Sequence, residues 1–214
     1  MTRRNVFILL LGTFLLLEAP AFAADRFEIF GDYSYLHFSP TIGGVQTRSF
    51  NGGGGGVALN FLAIFQLKAD FQGYASTTFT RVVTAPIVLP GGGRIPAGTY
   101  SSTGNMGTFL VGPVIRIPLP LIKPFGEVLF GSSYTDAYAN LEKATNAGGG
   151  TVAISPTQHP FTMAAGGGLD ISISKRLSIR PAEFDYILTR YTNPLTSTNN
   201  QNNFRYVGGV VLKF

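Results

Sequence analysis

Two histidines, no cysteine and many Ser, Thr and carboxylate side chains set the chemistry open to this 214-residue sequence. Without cysteine there are no disulfides, thiolate metal sites or thiol nucleophile, so catalysis would need Ser, His or a carboxylate. His37 stands two residues before Ser39, and His159 stands beside Pro160. A hydrolytic site needs a Ser and an acid within hydrogen-bond reach of its His. No strand-like segment offers a His-x-Ser pair together with that acid, so no catalytic residue is expected. The glycine run Gly52 to Gly56 contains Gly53-x-Gly55-x-x-Ala58, a literal match to a loosened dinucleotide fingerprint. That fingerprint works only between a strand and a helix whose N-terminus meets the pyrophosphate. Here Val57 to Phe61 carries on as alternating residues and no helix follows, so neither a cofactor nor a metal set is expected. The glycines instead suit a tightly coiled small barrel, where they relieve crowding and let aromatics lie over them.

What remains is a set of charges at alternate positions. Glu28 and Asp32, Lys68 and Asp70, Arg116, Glu127, Asp170, and Arg205 and Lys213 each share a parity opposite to one of apolar residues or glycine. A period of two belongs to strands. Eight such stretches follow one another: Phe27 to His37, Phe50 to Phe61, Phe65 to Ala75, Thr103 to Arg116, Ile122 to Tyr134, Phe161 to Ile173, Leu177 to Tyr191 and Phe204 to Phe214. The seventh changes phase: Leu177 and Ile179 lie on one parity, Phe184, Tyr186 and Leu188 on the other. Proline donates nothing to a ladder, so a β-bulge near Pro181 is predicted to reset the phase and bring Glu183 and Asp185 onto the charged face.

The strands are about as long as a tilted strand needs to be to cross a bilayer. Their connections alternate. Leu62 to Ile64, Ile117 to Leu121 and Ser174 to Arg176 are short; Phe38 to Ser49, Ser76 to Ser102, Thr135 to Pro160 and Thr192 to Asn203 are long. In an up-and-down barrel every second connection lies on the same rim, so the short turns gather at one end and the long loops at the other, as in outer-membrane barrels. The stretch Ser76 to Ser102 has an apolar run, a Pro-Gly-Gly-Gly turn and a second arm, and reads as a projecting hairpin.

The first residues carry Arg3 and Arg4, an apolar run from Val6 to Leu17, and Ala21-Phe22-Ala23 as a small-residue cleavage signal. This reads as a secretory signal peptide over residues 1–23, with cleavage after Ala23 by way of Ala21 and Ala23 and one domain over 24–214. The run is too short to span a membrane. Removing Arg3, Arg4 and Glu18 leaves 14 basic and 10 acidic residues, a net charge of +4. That balance fits an acidic partner such as lipopolysaccharide. With no basic cluster, nucleic acid is not expected.

On these strands and connections the sequence resembles the small eight-stranded outer-membrane β-barrels of the OmpA/OmpX type, over essentially all of Ala24 to Phe214. The ending FRYVGGVVLKF is similar to the terminal strand by which such proteins are read. The resemblance implies that Phe204, Tyr206, Val210, Leu212 and Phe214 form the signal for the barrel-assembly machinery. It also implies that the apolar parity faces outer-membrane lipid. The lumen then holds Glu28, Asp32, Lys68, Asp70, Arg116, Glu127, Asp170, Glu183, Asp185, Arg205 and Lys213. Mixed charges taken out of water must pair, so a salt-bridge network filling the lumen is expected.

The expected fold is therefore an all-β, eight-stranded antiparallel transmembrane β-barrel in the bacterial outer membrane, a monomer with no following periplasmic domain. The function implied is non-enzymatic: a rigid scaffold presenting extracellular loops, with residues 76–102 and 135–160 as candidate contacts for an extracellular partner. The alternatives are a narrow channel or a route for small hydrophobic molecules through a wall gap at Pro113 or Pro181, and after these a lipid A-modifying enzyme. A soluble lipocalin-like carrier would need the opposite distribution of polar and apolar faces.

Overall fold

A computed structural model describes residues 26–39, 48–88, 93–151, 159–190 and 200–214. Residues 1–23, read above as a signal peptide with its Ala21 and Ala23, lie outside these residues. Among the described residues there are ten strands: β1 (Phe27–Phe38), β2 (Arg48–Asn60), β3 (Phe65–Val83), β4 (Ile87–Val88), β5 (Arg94–Ile95), β6 (Gly98–Arg116), β7 (Ile122–Thr135), β8 (Phe161–Ser172), β9 (Leu177–Arg190) and β10 (Asn200–Lys213). One helix, α1 (Ala137–Ala147), lies between β7 and β8.

Eight strands close into an antiparallel barrel in the order β1, β2, β3, β6, β7, β8, β9, β10, with β10 pairing back onto β1. Phe214 N donates to Phe27 O at 2.8 Å and so seals the seam at the short-turn rim. Alternation decides the faces. Phe71 (54 % exposed), Ile115 (54 %) and Val210 (49 %) look outward, while Lys68, Asp70 and Arg205 are buried inside. An apolar outer wall around a charged interior is stable only with lipid outside, which makes this a transmembrane barrel.

Strand β9 carries the phase change. Its partners on both sides slip by one residue, between Arg180 and Glu183 opposite β10 and between Ile179 and Ala182 opposite β8. Before the slip Ser178 and Arg180 point inward; after it Glu183, Asp185, Ile187 and Thr189 do. Tyr206 Oη donates to the freed Pro181 carbonyl at 2.8 Å.

Residues 76–102 form the projecting hairpin read from the sequence, on strands longer than those expected: β3 and β6 run 19 residues each and stay paired from Thr77–Gly104 up to Val83–Gly98, well past the last β2 and β7 partners. The small β4–β5 ladder extends this hairpin, and Val83, Ile95 and Tyr100 form an apolar cluster within it. Residues 135–160 contain α1, which was not foreseen. Its segment packs along β6: Asn140 Nδ2 donates to Thr103 O at 2.6 Å, Asn105 N donates to Asp136 Oδ1 at 2.6 Å, and Thr151 bridges to Arg94 of β5.

Candidate functional site

The interior is built in layers from the short-turn rim upward, because successive inward residues of each strand fall at successive depths. In the lowest layer Arg116 makes two bonds to Glu28, at 2.7 and 3.0 Å, and reaches Asp170 at 3.0 Å; Gln66 Nε2 donates to the same Glu28 at 2.9 Å. Lys213, opposite Glu28 on the neighbouring strand, is also buried.

The middle layer is centred on Lys68. Its Nζ donates to Glu127 (3.0 and 3.1 Å) and to Glu183 (2.9 and 3.0 Å). Arg180 joins Asp170 at 2.8 Å to Glu183 at 2.8 Å. The rings of Phe30 and Phe125 lie against both cations, with Arg180 4.5 Å from the Phe125 centroid and Lys68 5.1 Å from that of Phe30. Such contacts hold a desolvated cation where water cannot.

Above it Arg205 joins Asp70 and Asp185, each at 2.8 Å, and approaches Glu183 at 3.5 Å. Asp32 is only half-buried and enters through Gln72, whose Nε2 donates to Asp32 at 2.9 Å and to Asp70 at 3.2 Å. All eleven charged positions named from the sequence therefore project inward. Ten direct ion pairs link Glu28, Lys68, Asp70, Arg116, Glu127, Asp170, Arg180, Glu183, Asp185 and Arg205.

Sequence reasoning missed Arg180, which ties the lowest and middle layers together. Its neighbour Pro181 obscured its parity, although the phase change that exposes Glu183 also leaves Arg180 inward. The upper half of the lumen was missed too. There Leu36, Phe38, Phe50, Tyr74, Met106, Leu110, Leu129, Ala164 and Ile187 form an apolar plug. Beyond it Thr162 bonds to Ser133 at 3.0 Å and meets Thr189 at 3.5 Å.

The two histidines lie elsewhere. His37 sits on the outer wall with Nδ1 3.4 Å from Ser49 Oγ, and Tyr35 Oη donates to the same hydroxyl at 2.8 Å. Ser39 donates its backbone N–H to Asn203 Oδ1 at 3.1 Å. His159 rims an outer groove floored by Gly53, Gly55 and Gly73 between Phe71 and Phe109. The residues read as an assembly signal share the outer face of β10, with Phe204, Val210, Leu212 and Phe214 exposed and Tyr206 half-buried.

No family model and no curated protein matches the sequence. Solved structures do match its fold. Neisserial surface protein A aligns over 90 % of this chain and 99 % of its own, with TM-score 0.57 and 11 % identity. The outer membrane protein OprG of Pseudomonas aeruginosa aligns over 89 % and 96 %, with TM-score 0.55 and 12 % identity. Ail, the attachment invasion locus protein of Yersinia pestis, solved with the heparin analogue sucrose octasulfate, aligns over 89 % and 99 %, with TM-score 0.52 and 12 % identity. At such identities the likeness is one of fold.

Proposed function

We propose that this chain, whose fold is that of the OmpA/OmpX-type eight-stranded outer-membrane β-barrels, is a non-enzymatic scaffold of the bacterial outer membrane that holds a basic platform above the lipid for acidic surface polymers. One observation carries this reading: the lumen is filled by ion pairs and then by apolar side chains, while the two longest strands continue beyond the lipid into a hairpin braced by α1. A filled barrel offers no path for solute, and structure built outside the membrane has a use only outside it.

Charge separation supports the choice of partner. Seven of the ten carboxylates beyond Ala23 project into the lumen, so the modest net charge conceals a basic exterior. On the long-loop side Arg81, Arg94, Lys143 and Arg190 stand against two acids, Glu142 and Asp136, and the Asp136 side chain is spent on Asn105 N. A phosphorylated or sulfated polysaccharide is the chemistry such a rim recognises. Passage sideways through the wall is disfavoured at Pro113: a Cβ on the adjacent Gly112 would lie 2.8 Å from Leu129 Cα, so the strands are close there rather than parted. Catalysis at His37 is disfavoured because, among the described residues, its side chain meets Ser49, itself held by Tyr35, and no acid joins that set.

The test is retention of the folded, detergent-solubilised barrel on immobilised heparin. The wild-type protein should elute at a higher salt concentration than a variant with Arg81, Arg94 and Lys143 changed to Gln, because each lost contact releases fewer counterions. Equal elution of the two folded proteins would remove the polyanion reading.

A further inference from the structure

The lowest layer of the lumen holds two cations without an acid of their own. Lys123 of β7 and Lys213 of β10 make no ion pair among the described residues, the C-terminal carboxylate included. Their side chains instead lie within hydrogen-bond reach of each other, and Arg116 adds its charge to Lys213. Lys213 is buried, while Lys123 is half-buried beside the short turn that precedes β7. Glu28 and Asp170 are their cross-strand partners, but both are engaged elsewhere. Glu28 accepts from Arg116, Gln66 and Asn60, and Asp170 accepts from Arg116 and Arg180. Like charges in contact at the edge of a low-dielectric interior repel strongly unless something negative comes between them.

We infer that the short-turn mouth of the lumen binds a small oxyanion of the phosphate class between Lys123 and Lys213. A dianion matches two unpaired ammoniums in charge, and its several oxygens accept from donors on different strands at once. Lysine suits such a site, because its flexible four-carbon stem lets the two heads part around an anion.

A second observation points to the same place. The strands between the two lysines carry donors with nothing to bond. Ser172 of β8 and Ser178 of β9 are cross-strand partners on the inward parity, and both hydroxyls are buried without a partner. Arg116 Nε is likewise unpartnered, although both terminal nitrogens of that guanidinium are bonded. Five neighbouring strands, β6 to β10, thus bring Arg116, Lys123, Ser172, Ser178 and Lys213 to one end of the lumen, all of them donors. Arg26, Lys175 and Arg176 are exposed on the same rim, with no exposed Asp or Glu among its described residues, so the field there draws an anion in. The acids higher up do not reach this layer, since Asp70, Glu127, Glu183 and Asp185 are held by Lys68, Arg180 and Arg205. Inward donors meet a ligand that arrives along the barrel axis from periplasmic water, not one held in the lipid around the wall. The inference stands whether or not the outer rim binds a polymer.

The experiment is equilibrium dialysis of the folded barrel in detergent micelles against radiolabelled inorganic phosphate, with sodium chloride holding the ionic strength constant. Wild type should retain roughly one equivalent above protein-free micelles. Lys123→Gln and Lys213→Gln should fold, as gel mobility before boiling shows, and retain about a tenth as much or less. Lys175→Gln, on the turn outside the mouth, should retain as much as wild type. Phosphate should also raise the temperature at which wild type loses its folded mobility while leaving Lys213→Gln unmoved. Wild type retaining no more phosphate than the micelles alone overturns the inference, whatever the variants do, and leaves loss of a proton as what relieves the two ammoniums. Equal retention by wild type and folded Lys123→Gln and Lys213→Gln also overturns it, by spreading the attraction over the basic rim.

Discussion

Removing the Arg205 guanidinium strands Asp70 and Asp185 together and weakens the hold on Glu183, all in a fully buried setting. Arg205→Ala is expected to cost about 3–5 kcal/mol, since the penalty of unpaired buried charge exceeds what the pair contributes on its own; urea titration in micelles measures it. Glycine positions divide just as sharply. A Cβ at Gly56 would run into the Ala69 carbonyl oxygen and lie 2.7 Å from the Phe30 ring, whereas at Gly31 it would meet nothing within 4 Å. Gly56→Ala should therefore destabilise by about 1–3 kcal/mol, and Gly31→Ala should stay within about 0.5 kcal/mol of wild type, in the same titration. The inward charges were legible because a strand allows only two faces and a charge belongs away from lipid. Which charge meets which was not, since Lys68 and Glu183 lie 115 positions apart and meet only through barrel closure.

Among the elements, β9 shows what a single extra residue accomplishes. The slip at Arg180 to Glu183 lets Ser178 and Arg180 below it and Asp185 and Ile187 above it all face the lumen. Deleting Pro181 removes that extra residue and leaves a regular strand on which Arg180, Glu183 and Asp185 still face the lumen, so the folded gel band should persist; its loss would show that the bulge is not what sets the phase. Pro181→Gly keeps the count and should retain the band as well. This bulge could be read from the sequence because hydrophobic alternation broke in mid-strand. The upper parts of β3 and β6 could not be read the same way. Above Ala75 the segment STTFTRVV no longer alternates an apolar with a polar parity, so the contrast that marks a strand disappears while Thr78 and Thr103 still pair across it. The helix α1 carries Ala, Leu, Glu and Lys, all favourable in helices, but no side-chain cap at Asp136, so its start went unsignalled. Replacing residues 137–147 with a short Gly-Ser turn should leave the barrel heat-modifiable while making the hairpin's tip more readily cleaved by added protease, as digestion of intact proteoliposomes would show.

For the molecule as a whole, the sequence's slight basicity is the sum of two unlike regions, an acidic interior and a basic exterior, joined by an apolar wall. The interior can carry charge because Lys68, Arg116, Arg180 and Arg205 meet it at close range, and the apolar plug of Leu36, Phe50, Leu110 and Leu129 closes the way above. The account rests on that closure, and electrical recording tests it most directly. Purified, refolded barrel inserted into a planar lipid bilayer should add no discrete current steps in high salt across the usual range of voltages. Reproducible unitary steps from protein whose insertion is verified by its gel shift would contradict a sealed scaffold and make the ion-pair column a conduction path.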